Sequence, residues 1–142
     1  DIVVLPFPAH GVKLYGNVII ASPKLIKENP QAVKAFLSAF SKGIKEVMAN
    51  PDPTIDYVKA RDGIINVELE KRRLRLSIDA VVASPDARAE GFGVVNPARL
   101  ALMASQVSDA FNTKTRVDAS TLWTDAFLPS KAELNVLPPV KR

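Results

Sequence analysis

The sequence has no cysteine and one histidine, His10, among its 142 residues. The lack of thiols excludes disulfide bonds, thiolate zinc sites and cysteine nucleophiles. A single histidine excludes any site in this chain that needs several histidine ligands. No apolar run approaches the roughly 20 residues that a membrane-spanning helix needs. The motifs of nucleotide-binding loops, zinc peptidases and serine hydrolases are also missing, so we predict no catalytic residue, no metal site and no cofactor.

The overall composition is that of an ordinary globular protein. Apolar residues make up 47% and charged residues 24% of the chain, which excludes long disordered or collagen-like sequences. The length fits one domain. The net charge is +4, but both signs are scattered along the chain, whereas a nucleic-acid-binding protein more often concentrates positive charge on one face.

Two segments have the composition of β-strands. Ile2 to Leu5 is apolar and rich in β-branched residues, and Tyr15 to Ala21 is a second candidate. Two strands provide too little sheet for a domain of this size. Because the chain also begins at Asp1 directly with an apolar segment, we expect it to lack upstream sequence, either as a processed mature form or, the interpretation that we favour, as a fragment of a longer protein.

The remainder of the sequence predicts helices. Proline follows an N-capping residue five times, a pattern typical of the first helical turn. These pairs are Ser22-Pro23, Asn29-Pro30, Asn50-Pro51, Ser84-Pro85 and Asn96-Pro97. The clearest helix runs from Pro30 to about Ala49, with its apolar residues on one face. Shorter helices are predicted over residues 54–60 and 67–83.

The last predicted helix covers residues 97–111. Leu100, Met103, Val107 and Phe111 recur at helical spacing, so we expect them to form its buried face. Beyond residue 111 the periodicity weakens. Residues 130–142, which include two consecutive prolines, predict a loose tail.

Three polar side chains near the beginning of the chain are candidates for ligand binding. His10 lies between Pro8 and Gly11 and offers a general base or a hydrogen-bond donor. Tyr15 and Asn17 flank Gly16 at the entrance to the second strand, where they offer a ring face and an amide. An ordinary loop histidine and an ordinary turn-to-strand sequence explain the same residues equally simply.

Two further features invite a functional interpretation. The basic run from Lys71 to Arg75 has the composition of a nucleic-acid-binding patch, but on a helix it also describes a solvated face paired with Glu68 and Glu70. The single tryptophan, Trp123, is typical of either a packing anchor or a ligand platform. In both cases we favour the structural interpretation.

The order of several stretches resembles a known family. They are LYGNVIIAS (residues 14–22), LIKENPQAVKAF (25–36), EKRRLRLSI (70–78), GFGVVNPARL (91–100), Phe111 and TDAFLP (124–129). This arrangement resembles the C-terminal part of substrate-binding proteins of ABC importers, in the nitrate/sulfonate/taurine group. That group shares its fold with the yeast thiamine-pyrimidine synthase. The resemblance extends from Ile2 to Pro129.

The resemblance implies an α/β protein with a partial periplasmic-binding-protein type II fold, mostly helical in this part with a few strands. Residues 1–22 correspond to the end of the second lobe and a crossing strand. Residues 23–129 correspond to the C-terminal helical part of the first lobe, and residues 130–142 to a tail. His10, Tyr15 and Asn17 are then expected to approach the ligand cleft between the lobes.

The function implied by this resemblance is solute binding for import, without catalysis. The expected partners are a small anionic or sulfonate-like solute and an ABC-transporter membrane permease, with no nucleic acid. The expected location is periplasmic, or extracellular with a membrane anchor. A fragment of such a protein is also expected to expose apolar surface and to self-associate.

Two alternatives stay open at this point. An enzyme of the pyrimidine-synthase type needs more histidines and a cofactor-binding lysine, which only further sequence could supply. A basic helical adaptor or nucleic-acid-binding module predicts binding that weakens steeply with salt.

Overall fold

The computed structural model describes residues 3–139. Within these residues the chain is mostly helical, and no helix combines the length and apolar character needed to cross a membrane. The α-helices are α1 (Pro23–Glu28), α2 (Pro30–Ala49), α3 (Asp52–Arg61), α4 (Val67–Ser77), α5 (Pro85–Glu90), α6 (Pro97–Ala110) and α7 (Lys131–Leu134). Short 3₁₀ helices cover Phe7–His10 and Ala119–Thr121, and a π-helical turn at Ile78–Val82 follows α4.

The helix starts follow the capping signals in the sequence. Ser22, Asn29, Ser84 and Asn96 each accept a hydrogen bond from a backbone N–H in the first turn of the following helix, and in each case proline occupies the first helical position. Four of the five predicted caps are therefore confirmed. The Asn50-Pro51 pair differs, because α3 begins at Asp52 without a side-chain cap.

The chain divides into two compact units. Among the described residues, unit 1 contains residues 3–20 and 95–126, and unit 2 contains residues 21–94 and 127–139. This division differs from the boundaries expected from the resemblance, because each unit combines an early and a late part of the chain. The correspondence of residues 1–22 and 23–129 to lobes of a larger fold stays a prediction.

Unit 1 is built around α6, and the 3₁₀ helix Ala119–Thr121 packs against it. The sequence predicts a buried face at Leu100, Met103, Val107 and Phe111. Leu100 is buried, but Val107 is exposed and Phe111 is 78% exposed. The predicted face is therefore wrong toward the C-terminal end of α6, where the helix ends at Ala110 and Phe111 lies beyond its last turn.

Unit 2 contains the other α-helices. α1 packs against α2, α3 against α4, and α2 against α7. Its buried apolar residues are Val33, Ile55, Leu134, Val136 and Leu137. The last three belong to residues 130–137, which we call the C-terminal segment. The structure corrects the prediction of a loose tail for the described residues, since this segment forms α7 and supplies much of the unit's apolar core.

The two predicted strands are not observed. No β-strand occurs within residues 3–139, and residues 3–5 and 15–20 have no regular secondary structure; Ile2 lies outside the described residues. A β-strand exists through hydrogen bonds to a neighbouring strand, and neither segment has such a neighbour in the described chain. β-Branched composition alone is not enough to form one.

Much apolar surface is exposed. Exposed apolar residues include Val3, Val4 and Ile20 in unit 1 and the stacked pair Phe36 and Phe40 in unit 2. Apolar side chains are therefore exposed in both units, and the docking patch and self-association expected from the sequence stay predictions.

Candidate functional site

The three predicted ligand-binding residues belong to one irregular segment of unit 1, the His10–Asn17 segment. His10 ends the 3₁₀ helix Phe7–His10, and Gly11 terminates that helix with φ at 84°, a left-handed conformation that favours glycine. The Gly11 N–H donates to the Pro8 carbonyl at 3.3 Å. Beyond Gly11 the segment has no regular secondary structure, so other parts of unit 1 must fix its course.

Tyr15 connects this segment to the beginning of α6. Its hydroxyl accepts a hydrogen bond from the Asn96 backbone N–H at 2.8 Å, just before the helix starts. The Tyr15 backbone N–H points to the Met103 sulfur at 3.3 Å, one to two turns further along α6. Tyr15 is half-buried, and both its side chain and its backbone hold the segment in place.

Arg99 makes the most extensive contact with the segment. Its Nε donates to the Lys13 carbonyl at 3.0 Å and its Nη2 donates to the Leu14 carbonyl at 3.0 Å. The guanidinium carbon lies 4.3 Å from the centre of the Tyr15 ring, a distance typical of a cation–π interaction. One side chain thus joins three consecutive residues of the segment to α6.

Gln106 holds the other end of the segment. Its Nε2 donates to the Gly11 carbonyl at 3.4 Å. Its carbonyl oxygen, Oε1, is buried and has no hydrogen-bond partner among the described residues. The Gln106 amide therefore makes one long hydrogen bond and leaves its Oε1 acceptor unsatisfied.

These contacts define one face of α6. Asn96, Arg99, Met103 and Gln106 are spaced by three, four and three residues, which places them on the same side of a helix. The segment runs antiparallel to α6, because Gly11 meets Gln106 while Tyr15 meets Asn96 and Met103. We call these four residues the clamp face.

The structure places the predicted site residues in different environments. His10 and Asn17 are exposed, whereas Tyr15 is half-buried and carries Arg99 over its ring. Within residues 3–139 no hydrogen bond joins any two of the three. Their ligand-binding role stays a prediction. Arg99 and Gln106 did not emerge from the sequence as partners of this segment, because no local pattern marks contacts between residues so far apart.

Unit 2 contains two open grooves. One has a volume of about 240 Å³ and is lined in part by Gly91 and Lys131; the other, of about 300 Å³, includes Leu137. Both are lined by Arg88 and Asn135. These volumes are at or below the lower limit for small-molecule sites, and neither groove contains a predicted ligand-binding residue.

The basic run on α4 is paired with acidic residues. Lys71 contacts Glu68 at 3.0 Å, Arg73 contacts Glu70 at 2.6 Å, and Arg75 makes two hydrogen bonds to Asp52 at 2.7 and 2.8 Å. The hydrogen bond to Glu68 and its negative charge raise the pKa of Lys71. The prediction of a solvated helix face paired with acidic neighbours is confirmed.

No group of three or more histidine, cysteine, aspartate or glutamate side chains in the described part of the chain is arranged to hold a metal ion. Trp123, in unit 1, is half-buried. The chemistry of the candidate site is therefore that of hydrogen-bond donors and acceptors on the His10–Asn17 segment, supported by the clamp face.

Comparison with known proteins gives one finding. Residues 1–54 match the family model described as NMT1/THI5 like. No curated protein and no solved structure shows significant similarity to the chain. The match supports a relationship to the nitrate/sulfonate/taurine type of binding protein and suggests a solute-binding role. It includes the whole His10–Asn17 segment, and the mostly helical structure is compatible with a periplasmic-binding fold.

Proposed function

We propose that this chain is the C-terminal part of the substrate-binding component of an ABC importer, and that it binds a small anionic or sulfonate-like solute without transforming it. The observation that carries the proposal is the family match over residues 1–54, because these residues include His10, Tyr15 and Asn17. The mostly helical structure and the unpaired β-branched segments agree with a partial type II fold.

The His10–Asn17 segment supplies the chemistry for such binding. The Asn17 amide carries two N–H donors and the His10 imidazole carries at least one, and both side chains are exposed. Nitrate and sulfonate oxygens are acceptors, so these groups complement them. Tyr15, held against α6, keeps the two donors on one anchored stretch of chain.

Binding and release follow from a shift between open and closed forms of a two-lobed protein. A solute that contacts both lobes in the closed form favours that form by its differential affinity. The proposed partner of the closed form is a membrane permease, and the proposed location is the periplasm or the outer face of a membrane. The salt-bridged basic run on α4 weighs against the nucleic-acid alternative.

Isothermal titration calorimetry of the full chain against nitrate, methanesulfonate and taurine tests this proposal, with chloride at equal ionic strength as the reference. We expect at least one of the three to bind while chloride does not. The Asn17→Ala variant should weaken that binding by about tenfold, the effect of losing one hydrogen bond to a charged group.

The matched control is Gln31→Ala, which removes an exposed amide from α2 in unit 2. It should bind as the unmodified chain does. If none of the three anions binds, or if Asn17→Ala and Gln31→Ala behave alike, the proposed function is wrong for this segment. Binding of a nucleic acid with a steep salt dependence would instead favour the adaptor alternative.

A further inference from the structure

We propose that Arg99 is a positioning residue for solute binding: it holds the His10–Asn17 segment in the conformation that presents His10 and Asn17 to the solute. This inference rests on the proposed function, since that proposal assigns solute binding to the segment. Arg99 and the segment both belong to unit 1.

Arg99 makes the strongest hydrogen bonds between the clamp face and the segment. It makes two charge-assisted hydrogen bonds, both at 3.0 Å, and hydrogen bonds from a charged donor are roughly twice as strong as neutral ones. The Met103 and Gln106 contacts are weaker, because the Met103 sulfur is a poor acceptor and the Gln106 hydrogen bond is long at 3.4 Å. The hydrogen bond from the Asn96 N–H to the Tyr15 hydroxyl is short at 2.8 Å, but it joins two neutral groups.

The planar shape of the Arg99 guanidinium constrains the segment. Nε and Nη2 lie on one edge of the planar guanidinium, so they fix the separation and direction of the Lys13 and Leu14 carbonyls. The central carbon of the same group lies over the Tyr15 ring, 4.3 Å from its centre. A lysine ammonium carries the same charge but cannot offer two donors at that fixed spacing while its charge lies over the ring.

The contact between Arg99 and the segment should affect the affinity for the solute. The segment has no regular secondary structure and contains two glycines, Gly11 and Gly16, so its conformational entropy is high when it is released. If the competent conformation is populated for only part of the time, the apparent dissociation constant rises by the inverse of that fraction. Loss of Arg99 should therefore weaken binding without removing any group that touches the solute.

The test compares Arg99→Ala and Arg99→Lys with the unmodified full chain. The matched control is Arg116→Ala, because Arg116 also contacts α6 in unit 1, but its guanidinium donates to Ser105 at 2.8 Å and to Asp109 rather than to the segment. Hydrogen–deuterium exchange of residues 11–17 reports the segment. Calorimetry with methanesulfonate, nitrate and taurine reports binding.

We expect exchange in residues 11–17 to rise by about tenfold in Arg99→Ala. The dissociation constant for whichever anion binds should also rise, by the inverse of the fraction of time that the segment keeps its competent conformation. Added guanidinium ion, at concentrations that leave the circular dichroism unchanged, should restore both quantities in part. Arg99→Lys should fall between Arg99→Ala and the unmodified chain. Arg116→Ala should change neither quantity.

Three results would overturn the inference. Unchanged exchange and unchanged binding in Arg99→Ala would mean that Arg99 does not hold the segment. Lost binding with unchanged exchange would mean that Arg99 contacts the solute directly. Loss of protection throughout α6 in both Arg99 variants would mean that the residue serves unit 1 as a whole.

Failure of the proposed function gives a different outcome. If the unmodified chain binds none of the three anions, the proposed function fails, and the inference about solute positioning fails with it. The exchange measurement then still reports whether Arg99 holds the segment. Faster exchange of residues 11–17 in Arg99→Ala, in a protein that binds none of the anions, would mean that Arg99 holds the segment but that the proposed function is wrong.

Discussion

Two segments of this protein lie against a helix, and they are held by different forces. In unit 1, the His10–Asn17 segment is joined to α6 by hydrogen bonds and one cation–π contact. In unit 2, the C-terminal segment packs on α2 through α7 and buries Leu134, Val136 and Leu137. The first attachment is polar and largely exposed, and the second is apolar and buried.

The difference sets how firmly each segment is attached. Burying a leucine or valine side chain stabilises by about 1.5–3 kcal/mol, whereas a hydrogen bond contributes about 0.5–1.5 kcal/mol net because water competes for both partners. The C-terminal segment should therefore open only with unit 2 as a whole. The His10–Asn17 segment should open locally, as ligand-binding loops commonly do.

The largest effect should come from Leu134→Ala. Leu134 is 5% exposed, and truncating a buried leucine costs about 2–5 kcal/mol through lost burial and the cavity left behind. Urea denaturation should report this loss in the free energy of unfolding. Leu76→Ala, at a position 69% exposed on α4, is the control and should change it by less than about 0.5 kcal/mol. Equal effects would contradict an apolar anchor.

Gly91→Ala tests the same anchor from the opposite side. Gly91 has φ at 113° and ψ at 156°, a region open essentially to glycine, and a Cβ there would lie 3.0 Å from Leu134 Cβ. We expect a loss of about 1–3 kcal/mol in the free energy of unfolding. Gly63→Ala, with open space around it, should cost much less. An unaffected Gly91→Ala protein would mean that the segment is not tightly packed there.

Local signals predicted the helix starts but not the attachment of either segment. An N-cap acts within four residues, so Ser22, Asn29, Ser84 and Asn96 could be found from the sequence alone. The contacts of the clamp face join residues 81 to 95 positions apart. No periodicity marks such contacts. The regular spacing of Leu100, Met103, Val107 and Phe111 indicates a neighbouring face of α6 that shares only Met103 with the clamp face.

The C-terminal segment was predictable in part. Ser130 and Glu133 have the spacing of a capping box, and the structure contains that box just before Leu134. This signal for a helix start was present, but the prolines at 138 and 139 favoured a loose tail. In the two predicted strands the local composition is typical of β-structure, but no strand is observed in the described residues. A strand also needs a neighbouring strand to pair with, and the composition of the segment itself does not report such a neighbour.

Tyr15→Phe tests the polar attachment of the His10–Asn17 segment to α6. It removes the acceptor for the Asn96 N–H and leaves the ring beneath Arg99 in place. We expect a loss of about 0.5–1.5 kcal/mol in the free energy of unfolding and faster amide exchange in residues 11–17. Tyr57→Phe, at a position 76% exposed on α3, should leave both unchanged. A loss as large as that of Leu134→Ala would contradict the view that the polar attachment is the weaker one.

The smallest effect is a dependence on pH in the C-terminal segment. The Glu133 carboxylate accepts hydrogen bonds from the Ser38 hydroxyl at 2.5 Å and the Ser130 hydroxyl at 2.8 Å. These contacts, the Ser38 hydrogen bond first, lower the pKa of Glu133 from its usual 4.5. The stabilisation is therefore present above pH 4.5 and is lost as the pH falls through the lowered pKa.

Thermal unfolding of the unmodified chain and of Glu133→Gln, which keeps the capping geometry without the charge, should differ at pH 7 and converge in acid. Glu28→Gln, at the exposed end of α1, is the control. A constant difference between Glu133→Gln and the unmodified chain at every pH would mean that packing, not the carboxylate charge, joins α7 to α2.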